Sequence, residues 1–283
     1  MPCCFTFKIA INAVPELPEV ETTRRGIHPH VVGRRITNVL VREPRLRWPV
    51  TPALGQNLTG QKILDVSRRG KYLFVHTAAG RAMIHLGMSG SLRVLPSKTE
   101  AEKHDHIDLC LDDGRTLRYR DPRRFGSFFW LVGDDSHKLI EGLGPEPLSE
   151  DFDGNYLFAR SRKKSVAIKQ FVMDSKVVVG VGNIYANESL FTAGIRPDRK
   201  AGTLSRKRYL DLAVRIKVVL SAAIEAGGTT LQDFVNENGE PGYFRQELKV
   251  YGRGGELCSS CSGLLVETRL GQRTTVYCRR CQR

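Results

Sequence analysis

Two groups of residues are spaced for chemistry. The first is Cys258-x2-Cys261-x16-Cys278-x2-Cys281 near the carboxyl end. Each Cys-x-x-Cys pair puts two sulfurs on one turn, and the residues between the pairs fit a hairpin. The pattern reads as a four-thiolate zinc site, with a redox dithiol as the other reading. A structural zinc would fold a segment too small for its own core. It would also hold Arg269, Arg273, Arg279 and Arg280 on a rigid tip, from which Arg273 could reach a phosphate. The second group is Pro15-Glu16-Leu17-Pro18-Glu19. A proline with a free amino end is a secondary amine that can attack an electrophilic sugar carbon and form an iminium. Glu16 and Glu19 could then serve as acid and orienting carboxylate. In the 283-residue chain Pro15 follows Val14, and an acylated proline nitrogen has no available lone pair.

Two further stretches have the character of exposed loops. "HLGMSG" sets Met88 between glycines, and "DPRRFG" sets Arg123, Arg124 and Phe125 in a turn. In a basic protein such side chains can wedge between bases and fill the gap left by an extruded one. Packing of Met88 and Phe125 in a core is the alternative. In "KHDHID", strand alternation or solvent contact explains His104 and His106 better than a metal pair does, and His104 could donate to a phosphate. Lys plus Arg number 44 against 30 Asp plus Glu, a formal net charge of +14. The excess gathers in residues 154–183 and 242–283, which favours a polyanionic partner, most simply nucleic acid, over a merely basic surface. No apolar run approaches the roughly 20 residues of a membrane helix. "MPCCFTFKIAINAV" makes a poor signal peptide. Seven cysteines argue against a disulfide scaffold and suit a reducing compartment, the cytoplasm.

These residues need elements to position them. A helix is expected near 18–28, with Pro18 in its first turn. Residues 31–135 read mostly as short strands, including "RITNVLVREPRLRW", with Asp113-Gly114 as a hairpin turn. A sandwich or barrel follows. Gly-Pro-Glu-Pro at 144–147 reads as a linker. Beyond it the pattern turns helical. "SVAIKQFVMD" and "IYANESLFTAG" read as two short helices around "KVVVGVGN", either a DNA-docking unit or a plain helical hairpin. A longer helix places Leu210, Ala213, Val214, Val218, Ser221, Ala222 and Glu225 on one face and ends at Gly227-Gly228.

Taken in order, "PELPEVET", "RGKYL", "HLGMSGSLRVLP", "KHDHIDL", "DPRRFG", "GLGPEPL", "VVGVGNIYANESLF", "AGIRPDR", "GGTTLQDF", "PGYF" and the cysteine quartet closely resemble the bacterial formamidopyrimidine-DNA glycosylases, from Pro15 to Arg283. The resemblance implies an α+β multidomain protein: an N-terminal β-sandwich over 15–145, a helical helix–two-turn–helix domain over 150–240 and a zinc-finger hairpin over 241–283. It implies one structural zinc ion, damaged double-stranded DNA as partner, a monomer, and a cytoplasmic, nucleoid-associated location. It implies removal of oxidised purines by a proline Schiff base, followed by β- and δ-elimination. By matching motif, Pro15 is the nucleophile, Glu16 the proton donor, Lys71 the assistant in β-elimination and Arg273 the phosphate ligand of δ-elimination. Met88, Arg123 and Phe125 fill the void. His104, Arg123, Lys164, Lys169 and Asn183 contact DNA, and Glu188 supports them. The loop around Asn236–Tyr243 would cap the flipped base. Ser165 stands where relatives carry a lysine. The sister family, endonuclease VIII, typically begins Pro-Glu-Gly-Pro, whereas this chain has Pro-Glu-Leu-Pro. Residues 1–14 read as an extension from a start placed too far upstream. Val14 would then be the true initiator, encoded by GUG. A lesion-binding protein made inert by a retained extension is the reading of a different class.

Overall fold

The computed structural model describes residues 14–96, 98–133, 135–227 and 248–283; the segment 1–13, Gly228, "PGYF" and the loop around Asn236–Tyr243 lie outside them. Helix α1 (Leu17–Val31) comes first, capped by Glu16 and with Pro18 in its first turn, where a missing N–H has no partner to lose. Eight strands follow: β1 (Ile36–Val41), β2 (Asp65–Arg69), β3 (Tyr72–Thr77), β4 (Gly80–His85), β5 (Ser91–Pro96), β6 (Asp105–Leu111), β7 (Arg115–Arg120) and β8 (Ser127–Val132). A short helix, α2 (Leu54–Leu58), interrupts them and was not foreseen. After Val41 the stretch expected as one strand becomes loop, because Pro44 has no N–H to offer a ladder.

The strands form two antiparallel sheets, ordered β1-β6-β7-β5 and β2-β3-β4-β8. Ile36, Leu92, Ile107, Leu109 and Leu117 of the first face Val66, Leu73, Val75, Ile84 and Phe128 of the second in one core, which Val20 and Ile27 of α1 complete. The arrangement is a sandwich; among the described residues no strand pairs across the two sheets.

The linker is tied back to this half. Glu146 accepts from the Gly70 N–H at 2.6 Å and pairs with Arg68 at 2.8 Å and Arg69 at 3.1 Å. The turn between β2 and β3, which carries Lys71, is therefore held against the start of the helical half. That half contains α3 (Gly154–Ser161), α4 (Ile168–Met173), α5 (Asn183–Thr192) and α6 (Arg206–Glu225). Strands β9 (Leu265–Leu270) and β10 (Arg273–Cys278) form the terminal hairpin.

Helix α6 has the expected extent but not the expected face. Tyr209, Leu212, Ala213, Ile216, Leu220, Ala223 and Ile224 are buried, while Leu210, Val214 and Val218 are 44, 55 and 53 % exposed. Two apolar stripes share this helix. The wider one packs on α3 and α5, a choice that only the tertiary neighbours make. Leu212→Ala is accordingly expected to cost about 2–5 kcal/mol of stability, and Val214→Ala less than about 0.5 kcal/mol. Urea unfolding of the two variants separates the stripes.

Candidate active site

Glu16 and Leu17 enter a slot made by the glycines of "VGVGN". The Glu16 carboxylate is 3 % exposed and accepts from the backbone N–H groups of Ile184 (3.0 Å) and Tyr185 (3.4 Å), at the N-terminus of α5. A Cβ on Gly182 would lie 2.1 Å from its carboxyl carbon, so only glycine leaves room. Gly180, at φ +80°, stands in the same relation to Leu17, whose N–H donates to the Gly180 carbonyl at 3.2 Å. The Glu16 N–H donates to Glu19 at 2.9 Å, and the Tyr185 hydroxyl donates to Glu19 at 2.7 Å. Burial pushes the Glu16 carboxyl up from 4.5 to about 7, Lys71 pulling it down and Glu19 pushing it further up. The two amides also lower it and do not restore the ordinary value, because desolvation of a carboxylate outweighs a few charge-assisted bonds.

Cations surround this carboxyl. Lys71 follows Gly70, whose φ of +58° makes the turn that the linker holds. Lys169 of α4, expected among the DNA contacts, is 0 % exposed, and its ammonium donates to the Thr274 carbonyl (2.8 Å) and the Thr275 hydroxyl (2.7 Å) of the hairpin. Burial pulls its ammonium down from 10.5 to about 7, with Glu16 opposing and Arg273 adding to the fall. Lys169 thus ties the hairpin that carries Arg273 to the helices that frame Glu16. His85 was missed. Its ring meets that of Tyr72 at a tilt, 4.8 Å between centroids, and burial, Lys71 and Arg47 push it down to about 4. Its Nδ1 accepts from the Gly87 N–H at 3.0 Å, which leaves the proton on Nε2. Tyr251 was missed too; its hydroxyl lies against Asn183, and Glu16 and Arg273 both act on it. Nothing in the spacing of these residues signals that they share a cleft.

Helix α5 also holds the finger. Glu188 accepts the N–H groups of Lys249 (2.9 Å), Val250 (2.9 Å) and Tyr251 (2.8 Å), and the Asn187 side chain accepts that of Val276 at 2.9 Å. The sulfurs of Cys258, Cys261, Cys278 and Cys281 lie within 4.8 Å of one another, with Cys258–Cys281 at 3.9 Å and Cys261–Cys278 at 3.4 Å. Zinc–sulfur bonds of about 2.3 Å in a tetrahedron set sulfurs about 3.8 Å apart, so the cluster fits one structural zinc ion. Without a cation the four thiols crowd one another; burial and the three neighbouring sulfurs push Cys281 up to about 12.

Three family profiles match the chain in succession: the formamidopyrimidine-DNA glycosylase N-terminal domain over residues 14–128, the H2TH domain of the same glycosylase over 143–235, and a zinc finger found in FPG and IleRS over 255–283. Formamidopyrimidine-DNA glycosylase of Stutzerimonas stutzeri is 58 % identical over 270 residues, 95 % of this chain and all of the relative. The chain belongs to the formamidopyrimidine-DNA glycosylase family. The enzyme of Stenotrophomonas maltophilia is equally similar, at 58 % with the same coverage. Among solved structures, the Lactococcus lactis glycosylase bound to DNA containing an AP site matches with a TM-score of 0.85. A wild-type complex of the same protein with DNA containing N7-benzyl-Fapy-dG matches with 0.87. Each is 34 % identical and covers 95 % of this chain and all of the solved one.

The glycosylase family's other expected positions fall in separate places. Met88 is half-buried and Phe125 41 % exposed, so core packing of Phe125 is excluded; Arg123 lies over the Phe125 ring at 4.8 Å. Arg124 is drawn aside by Glu43 at 3.3 Å. Lys164 and Ser165 are exposed on the turn before α4, Asn183 is half-buried at the start of α5, and His104 is half-buried with its ring edge-on to His106. Among the described residues the four cysteines are the group able to hold a metal, and no helix is long and apolar enough to cross a membrane.

Between about pH 4.5 and 7 the folded chain keeps a Glu16 proton that the unfolded chain has released, so this contribution to stability falls across that window and levels off above it. The Tm of Glu16→Gln minus that of the parent is therefore expected to rise from pH 5 to pH 8; thermal unfolding across that range checks the sign. Cys278→Ser is expected to lose zinc and to weaken binding of damaged duplex by about tenfold or more, because the hairpin no longer holds Arg273 in place. Metal content and a binding isotherm measure both.

Proposed function

We propose that this chain removes oxidised purines, 8-oxoguanine and formamidopyrimidines, from duplex DNA and then cleaves the abasic site as a lyase, acting as a cytoplasmic, nucleoid-associated monomer. The observation that carries the reading is the seating of Glu16, next in the chain after Pro15, on the N-terminus of α5, with the charges of Lys71 and Lys169 acting on it and Lys169 tied to the hairpin beside Arg273. The relatives' names and the Fapy-dG lesion in a Lactococcus complex support the purine class, while a further complex of that same protein holds DNA with an oxidised pyrimidine.

In this reading the lone pair of a free Pro15 amine attacks C1′ of the damaged nucleotide, and the base leaves with the electrons of the N-glycosidic bond. Glu16, with a carboxyl near pKa 7, is still protonated in part at neutral pH and gives its proton to the ring oxygen as the sugar opens. The iminium then acidifies C2′. Lys71 assists loss of that proton and departure of the 3′ phosphate, and Arg273 stabilises the phosphates during the second elimination. Lys164, Ser165, His104 and Asn183 track the backbone, while Met88, Arg123 and Phe125 occupy the space left by the base. The residues of 15–145, 150–240 and 241–283 act as three cooperating units.

The mechanism requires the amine to be free. Protein beginning at Pro15 is expected to form a borohydride-trapped adduct with 8-oxoguanine duplex and to release thymine glycol far more slowly. Protein that keeps residues 1–14 is expected to bind the duplex without trapping. Faster release of thymine glycol, or an adduct through an acylated Pro15, overturns the reading.

A further inference from the structure

The two loops that carry Met88 and Arg123–Phe125 are both crossings between the sheets. One runs from β4 to β5 and the other from β7 to β8, side by side at one end of the sandwich. No ladder sets one loop against the other. Their link is Asp121, which is 0 % exposed. Its Oδ1 accepts from the Ser89 hydroxyl at 2.6 Å; its Oδ2 accepts from the Gly126 N–H at 2.8 Å and the Tyr119 hydroxyl at 3.1 Å. The Ser89 oxygen in turn accepts the Arg123 N–H at 3.1 Å. The first loop is therefore tied at the residue after Met88, and the second at both ends of the Arg123–Phe125 turn.

The backbones also touch. A Cβ on Gly87 would lie 2.5 Å from the Gly126 nitrogen and 2.5 Å from the Phe125 carbonyl carbon. The Arg124 N–H donates to the Asp121 carbonyl at 3.1 Å, and Arg124 itself sits at φ +56°. This conformation turns Arg124 toward Glu43 and leaves Arg123 over Phe125. A buried carboxylate held by three neutral donors is costly for a surface turn, since burial of a charge is offset only in part by such bonds. Packing alone does not call for it: an apolar residue would fill the same space.

We propose that Ser89 and Asp121 form a latch that fixes Met88 and the Arg123–Phe125 turn as one rigid wedge, making both positioning residues for extrusion of the target base. The proposal rests on the reading that these three side chains enter the duplex. Extrusion is unfavourable, and a wedge already ordered in the free protein does not have to be ordered at that moment.

The test uses Ser89→Ala, Ser89→Thr, Asp121→Asn, Met88→Ala and Phe125→Ala in protein beginning at Pro15. Single-turnover excision is measured on an 8-oxoguanine·cytosine duplex and on the same lesion opposite a one-nucleotide gap, where extrusion is easier. Extrusion is followed by stopped-flow fluorescence of 2-aminopurine beside the lesion. Ser89→Ala and Asp121→Asn are expected to slow extrusion and excision on the paired duplex by about tenfold and on the gapped one by less than about threefold. Ser89→Thr, which restores the hydroxyl, is expected to recover most of the loss. Equal losses on both duplexes, or no loss on the paired one while Met88→Ala and Phe125→Ala are slow there, overturn the latch and leave the wedge standing. Normal extrusion by Met88→Ala and Phe125→Ala overturns the wedge reading, and the latch with it.

Discussion

The burial of one carboxylate organises this molecule. Glu16 caps α1 and at the same time lies on the first amides of α5, in the space that Gly182 leaves by having no side chain. An anion at a helix N-terminus gains about 0.3–1 kcal/mol at an exposed site, and up to about 2 kcal/mol when partly buried. Removing a carboxylate from water costs several kcal/mol. The second effect wins, which is why the carboxyl sits near 7 in spite of Lys71 and two hydrogen bonds. The same contact holds the sandwich to the helical half, so any shift of α1 against α5 moves the acid, the preceding proline and the cleft together.

Helix α5 transmits that position to the other end of the chain. Its first turn meets Glu16, and its next turn supplies Asn187 to β10 and Glu188 to the segment entering the finger. Lys169 closes the circuit from α4 by reaching Thr274 and Thr275, next to Arg273. The finger is therefore not an appendage. The zinc site shapes the hairpin, and three independent polar ties fix where the hairpin points. A lysine buried beside an arginine is unfavourable by itself; the nearby Glu16 opposes this only in part, and two oxygen acceptors satisfy its N–H groups.

Much of this was legible in the sequence, for identifiable reasons. The cysteine spacing, Pro18 in a first helical turn, Asp113-Gly114 and the glycines of "VGVGN" each act locally, so a short window carries the signal. The two short helices around those glycines appear as α4 and α5. The rest depends on what meets what. The face that α6 buries was misread because Leu210, Val214 and Val218 repeat as regularly as the stripe that packs. The burial of Lys169 against the hairpin could not be read, because a lysine in a basic run carries no mark of burial. His85, Tyr251 and Asp121 acquire meaning only when the fold brings Lys71, Asn183 and Ser89, distant in the chain, to act on them.

The same distinction separates the chemical centre from the loops above it. Glu16 can be held by backbone amides because a helix start presents several in parallel, and a glycine pair is enough to admit it. The two crossing loops have no such frame. Ordering a long side chain costs up to about 2 kcal/mol, and a backbone residue costs a similar amount. Three or four residues left to order on contact would therefore cancel much of what a DNA interface gains. A buried acid that gathers donors from both loops moves that cost from binding to folding. The same turn sorts its two arginines: Arg124 pairs with Glu43, while Arg123 lies over the Phe125 ring.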